Sequence, residues 1–148
     1  MDTKLLPIFS AAALAVGILG SPAMAQSQAR LVGPDHIQSY WIMLNTKVDA
    51  DIPNSGRNMD KPGCVAVTFM IGTDGVPQNV TVRKVVPVSD LDSVAKSVVT
   101  NLRYGPALKN NTHEPVNTYY IVPFNLPADQ AQRQAIIDAC KLPGYDQA

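Results

Sequence analysis

Gly63-Cys64-Val65-Ala66-Val67-Thr68-Phe69-Met70-Ile71, then Gly72-Thr73-Asp74-Gly75, then Val80-Thr81-Val82-Arg83-Lys84-Val85-Val86, has the pattern of a β-hairpin. Val65, Val67, Phe69 and Ile71 share one face at period two, and β-branched and aromatic side chains pack well on a pleated, half-buried surface. Asp74-Gly75 predicts the turn, because Gly reaches φ > 0 without a steric penalty and Asp tolerates it better than most residues. A sheet with one apolar face must bury it, so the flanking segments are read for what they lay against it.

Downstream, Pro87 stops the second strand, and Ser89-Asp90-Leu91-Asp92 predicts a helix start with Ser89 and Asp92 spaced as a capping box. Leu91, Val94, Ala95, Val98, Val99 and Leu102 then recur at helical spacing, opposite Lys96, Ser97, Thr100 and Asn101, the pattern of a helix laid on a sheet. Arg103 suits the negative end of its dipole, and Gly105-Pro106 predicts its stop. A third strand is expected over Val116 to Leu126, with Val116, Tyr120, Val122, Phe124 and Leu126 on one side. Pro123 cannot donate to a ladder, so this strand belongs at a sheet edge or is bulged there. Tyr119 and Ile121, with Ala66, Thr68 and Met70, make the other sheet face apolar as well. Pro127 predicts the start of a C-terminal helix, Ala128 to about Lys141, with Asp129 and Arg133 as an i, i+4 pair and Ile136 with Cys140 on its buried side.

Upstream, Pro34-Asp35 predicts another helix, Asp35 capping and Gln38 as its partner, with Ile37, Tyr40, Trp41, Leu44 and Val48 as an apolar stripe. Asp49 to Pro62 reads as a loop. Its Asp49, Asp51 and Asn54 depart from calcium-loop spacing, and Asp60 stands where such a loop needs a bidentate Glu, so no metal site is expected. At the start, Lys4, the apolar run Leu5 to Gly20 and Ala23-Met24-Ala25 predict a cleaved secretory signal over 1–25, with Gln26 first in the mature chain. The rival, an uncleaved anchor, would need roughly 20 apolar residues. No Cys follows the apolar run, so no lipid anchor is expected.

Twelve Lys and Arg balance twelve Asp and Glu, which leaves no basic field for nucleic acid, and 46 % hydrophobic residues in 148 suit one domain with a real core. Export would place Cys64 and Cys140 in an oxidising compartment, where two cysteines of a small domain most often pair. Such a bridge would staple the tail to the first hairpin strand; two separately buried thiols are the alternative. His36 and His113 stand far apart, in a helix start and a turn, and no nucleophile elbow, P-loop or metal pair accompanies them. An enzyme is therefore not expected, nor a cofactor.

The order strand, strand, helix, strand, with Gly63 to Gly75, Leu91-Asp92, Leu102-Arg103-Tyr104-Gly105-Pro106-Ala107 and Val122-Pro123-Phe124-Asn125-Leu126, resembles the TonB C-terminal domain family over roughly Lys61 to Pro127. The resemblance implies an α+β fold: a three-stranded antiparallel sheet (β-β-α-β) with a helix on one face, to which the reading above adds N- and C-terminal helices. The expected divisions are 1–25 signal, 26–60 N-terminal helix and loop, 61–127 TonB-like domain, and 128–148 C-terminal helix and tail. The family's domain is the periplasmic end of an energy transducer, and it grips an extended receptor segment by adding it as a strand to its last strand. Carried over, this makes Thr118, Tyr119, Tyr120, Ile121 and Val122 the partner-binding edge of a soluble periplasmic module. Its expected partner is an outer-membrane receptor segment or another envelope protein. The alternative is a structural, self-associating envelope protein that forms a homodimer through the same edge or the apolar sheet face, with no transport coupling.

Overall fold

In chain order the elements are β1 (Arg30–Leu31), a 3-10 turn (Ile37–Ser39), β2 (Trp41–Met43), β3 (Gly63–Ile71), β4 (Pro77–Val86), α1 (Asp92–Asn101), β5 (Tyr104–Pro106), β6 (Val116–Phe124) and α2 (Gln130–Ala139). The structure, a computed structural model, describes residues 28–145. The expected signal over 1–25 lies outside them. Among the described residues, no helix is long and apolar enough to cross a membrane.

The hairpin of β3 and β4 forms as its alternation requires, with β4 beginning earlier than expected, at Pro77. Gly75 takes φ 77° in the turn, and a Cβ there would collide with the Tyr104 carbonyl, so both backbone and space demand glycine. Val65, Val67, Phe69 and Ile71 are buried under Leu91, Val94, Ala95, Val99 and Leu102 of the α1 segment. The three valines of α1 cost roughly 0.5 kcal/mol each in helix propensity. Burying Val94 and Val99 contributes roughly 1.5–3 kcal/mol each, so packing decides. Ser89 and Asp92 do not form a capping box. Leu91 is the N-cap residue and makes no side-chain cap bond, while Ser89 Oγ accepts from the Leu91 N–H and Asp92 from the Ser93 N–H. Asp90 instead accepts from the Arg57 N–H at 2.7 Å, fastening the preceding loop. Arg103 donates to the Thr100 and Leu102 carbonyls at the end of α1. Gly105-Pro106 lies in β5 rather than serving as the stop, because the chain is already extended at Leu102.

The sheet has four strands, not three, in the order β1-β6-β3-β4, and β2 with β5 makes a separate ribbon. The expected N-terminal helix is absent: one 3-10 turn is followed by β2. Tyr40 to Met43 satisfies period two as well as helical spacing, with Trp41 buried, Ile42 half exposed and Met43 partly buried. β5 lies ready as an antiparallel partner, and the Ala107 N–H to Tyr40 and Leu44 N–H to Arg103 bonds lengthen the ladder at both ends. Strand pairing satisfies these backbone groups while burying Trp41, which one lone helix turn cannot do.

The second face of β3 and β6 is covered by α2. Asp129 caps it, accepting from the Gln132 N–H at 2.8 Å, rather than pairing with Arg133. Cys64 and Cys140 form the disulfide, Cα to Cα 6.1 Å, within a small second core of Ala66, Tyr119, Ile136 and Leu142.

Candidate functional site

β6 pairs with β3 in unbroken antiparallel register from Phe124 opposite Gly63 to Val116 opposite Ile71. Its other side meets β1 only at Val116 and Asn117, in parallel, and the last bond there runs from the Val32 N–H to the Asn117 carbonyl at 2.9 Å. The chain then turns away through Gly33-Pro34. The Asn117 carbonyl therefore points outward from the sheet, and at period two so do the backbone groups of Tyr119, Ile121 and Pro123. The missing N–H of Pro123 falls on that outer side, which is why β6 holds a proline without breaking its pairing to β3. Among the described residues no further strand extends the sheet beyond β1.

The five expected edge residues divide between two faces. Thr118 and Val122 are buried on the α1 side, with Tyr120 partly buried between them. Thr118 stands opposite Phe69, and its Oγ1 has no hydrogen-bond partner among the described residues. Tyr119, only 6 % exposed, packs on the α2 side edge-to-face against Tyr145, ring centroids 4.8 Å apart. Ile121 is partly buried beside it. Tyr119 is thus buried as a whole residue, and Ile121 keeps partial exposure beside it.

Two clefts meet along this stretch. One, of about 540 Å³, lies on the α1 side between the edge and the ribbon, walled by Ile37, Trp41, Met43, Phe69, Tyr104 and Tyr120. The other, of about 330 Å³, lies on the α2 side against Asp35, Gln134, Ile137 and Lys141. The first wall is rigid. Trp41 Nε1 donates to the Glu114 carbonyl at 2.9 Å, and the indole meets the His113 ring edge-on at 6.0 Å. Asn110, 3 % exposed, donates to the Tyr40 and Glu114 carbonyls and accepts from the Glu114 N–H, locking the ribbon to the start of β6. Burial, reinforced by the neighbouring Tyr120, holds the Tyr104 phenol well above the usual tyrosine range, so it stays neutral. Lys141 is held above its usual range by Asp138, which accepts its hydrogen bond at 2.8 Å.

The ribbon wall was missed from sequence because Trp41 and Met43 also fit a helical stripe; their alternation with exposed Ile42 was the available signal. His36 caps the 3-10 turn and His113 stacks on Trp41, and the structure brings neither to a nucleophile. Among the described residues no group of three His, Cys, Asp or Glu could hold a metal.

No curated protein matches this chain. A solution structure of the TonB C-terminal domain of Pseudomonas aeruginosa is similar at 16 % identity, over 61 % of this chain and 90 % of that one, with a TM-score of 0.40. The family described as Gram-negative bacterial TonB protein C-terminal matches residues 52–126, half of the chain, and on that match the chain belongs to the TonB C-terminal family.

Proposed function

We propose that this chain is a periplasmic TonB-like binding module, serving transport at the outer membrane, that takes an extended segment of an outer-membrane receptor as an added strand on β6. The observation that carries the reading is the edge itself. Val116 to Phe124 has no charged residue and no bulge, and from Tyr119 onward its outward N–H and C=O groups face no strand among the described residues. Edges of that kind template pairing with another chain, and proteins ordinarily blunt them. Pro123 limits the added strand at one end and β1 limits it at the other, which leaves Tyr119 to Val122. Protein interaction, rather than catalysis, is also the business of the family.

The test is a titration of isotope-labelled protein with synthetic N-terminal segments of outer-membrane receptors, followed by amide NMR. Tyr119 and Ile121 amides should shift most and become protected from exchange. Ile121→Pro deletes one outward donor while leaving the β3 side of the ladder intact, and should weaken binding at least tenfold. Unchanged binding in that variant would rule out strand addition here.

A further inference from the structure

Backbone pairing alone is a weak grip. The outward groups of Tyr119 and Ile121 offer about four hydrogen bonds, and each exchanges a bond to water for one to the partner with little net gain. Micromolar affinity needs about 8 kcal/mol after the cost of association. Side chains of the added strand must supply the rest, and an added strand projects them alternately to the two faces of the sheet. The two faces beside this edge differ in chemistry. On the α1 side the 540 Å³ cleft is walled by Trp41, Met43, Phe69, Tyr104 and Tyr120. On the α2 side the smaller cleft sets Asp35, Gln134 and Lys141 among Ile121 and Ile137. Both clefts reach Tyr119 and Tyr120, so neighbouring residues of one added strand face one cleft each.

Resting on the strand-addition reading, we infer that the partner segment is read by parity: one bulky apolar side chain, aromatic for preference, enters the α1-side cleft, and the residues on either side of it in the partner are polar. The apolar guest fits the aromatic wall, where offset and edge-on ring contacts add to burial. A second apolar side chain on the α2 side would bury against the Asp35 carboxylate and the Lys141–Asp138 ion pair and strip their water with no new partner in return.

The test uses the purified full chain and acetylated, amidated heptapeptides, three threonines either side of a central residue, which is phenylalanine, alanine or lysine. Threonine favours extended backbone and keeps the host polar. The indole signal of Trp41, the only tryptophan, reports cleft occupancy, and the Tyr119 and Ile121 amides report the edge. The phenylalanine peptide should bind about ten- to a hundredfold tighter than the alanine peptide, as burial of one aromatic side chain implies, and lysine should give no gain. Gln38→Trp, at an exposed position lining the cleft, should fill it and bring the phenylalanine peptide down to the alanine value. A peptide with phenylalanine at the three central positions should bind no tighter than the one with a single phenylalanine.

Equal affinity of the phenylalanine and alanine peptides, survival of the advantage in Gln38→Trp, a tenfold gain from the flanking phenylalanines, or no binding at millimolar concentration would each overturn the inference. Ile121→Pro separates it from the reading beneath. Equal binding of all peptides, all lost in that variant, leaves strand addition standing and parity reading refuted. A phenylalanine advantage indifferent to Ile121→Pro leaves the cleft as a side-chain site and refutes strand addition.

Discussion

β4 and β6 are the two strands that flank β3, and they are built differently. β4 carries Arg83 and Lys84, and against β3 it inserts extra residues between the partners of Ala66 and Val67 and again between those of Thr68 and Met70, with Asn79 at φ 54°. β6 runs its nine residues without a charge and without a shift. Charges and bulges are the usual means of preventing edge-to-edge association. β4 is therefore protected by charge and irregularity, while β6 carries neither and runs beside two clefts. The difference also lies behind the strands, because α2 and the disulfide brace the β3–β6 side.

The largest expected effect breaks that brace. Replacing both cysteines by alanine should cost about 4 kcal/mol for a bridge spanning 76 residues, read from urea unfolding. Amide exchange at Tyr120 and Val122, whose N–H groups face β3, should accelerate more than at Lys84 of β4. Equal acceleration would show that the bridge holds the whole sheet rather than the β6 side.

A smaller effect concerns the cleft wall. Burial disfavours the Tyr104 anion and holds the phenol above the ordinary tyrosine range, with Tyr120 adding to this. Below pH 10 the tyrosine is neutral folded and unfolded, and its contribution is fully present. As pH rises above 10 the unfolded chain releases the proton and the folded one does not, so stability falls by up to about 1.4 kcal/mol per pH unit. Tyr104→Phe should remove that slope. A slope unchanged in the variant would place its origin elsewhere.

The smallest effect sharpens the edge itself. Thr118→Val keeps the shape and removes an unpaired buried hydroxyl, so it should stabilise the fold by about 1 kcal/mol in urea unfolding. A loss instead would mean that an ordered water satisfies Oγ1.

The hairpin and α1 were legible because strong periodicity there has one solution: the β3 face and the Leu91 to Leu102 stripe fit only each other. The Cys64–Cys140 bridge was the preferred of two readings of the cysteine pair, and Pro123, read as marking a sheet edge or a bulge, falls where the outer side of β6 meets no strand among the described residues. The segment from Ile37 to Val48 was not legible. Its apolar residues satisfy both periods, and the choice between them rests on β5, more than sixty residues away. β1 was equally hidden, since two residues carry no pattern. The clefts inherit that uncertainty, because the ribbon and the 3-10 turn form one wall.

The sequence by itself determined the hairpin, the helix that covers it and the family, because these rest on local pattern and on chemistry carried by single residue types. Tertiary structure alone decided that β1 covers only the start of the outer side of β6, that Tyr119 is buried against Tyr145, and that an aromatic cleft and one of mixed lining flank the same stretch of β6. Those features depend on which distant segments meet, and contacts between segments are settled by packing and hydrogen-bond completion, which no local period encodes.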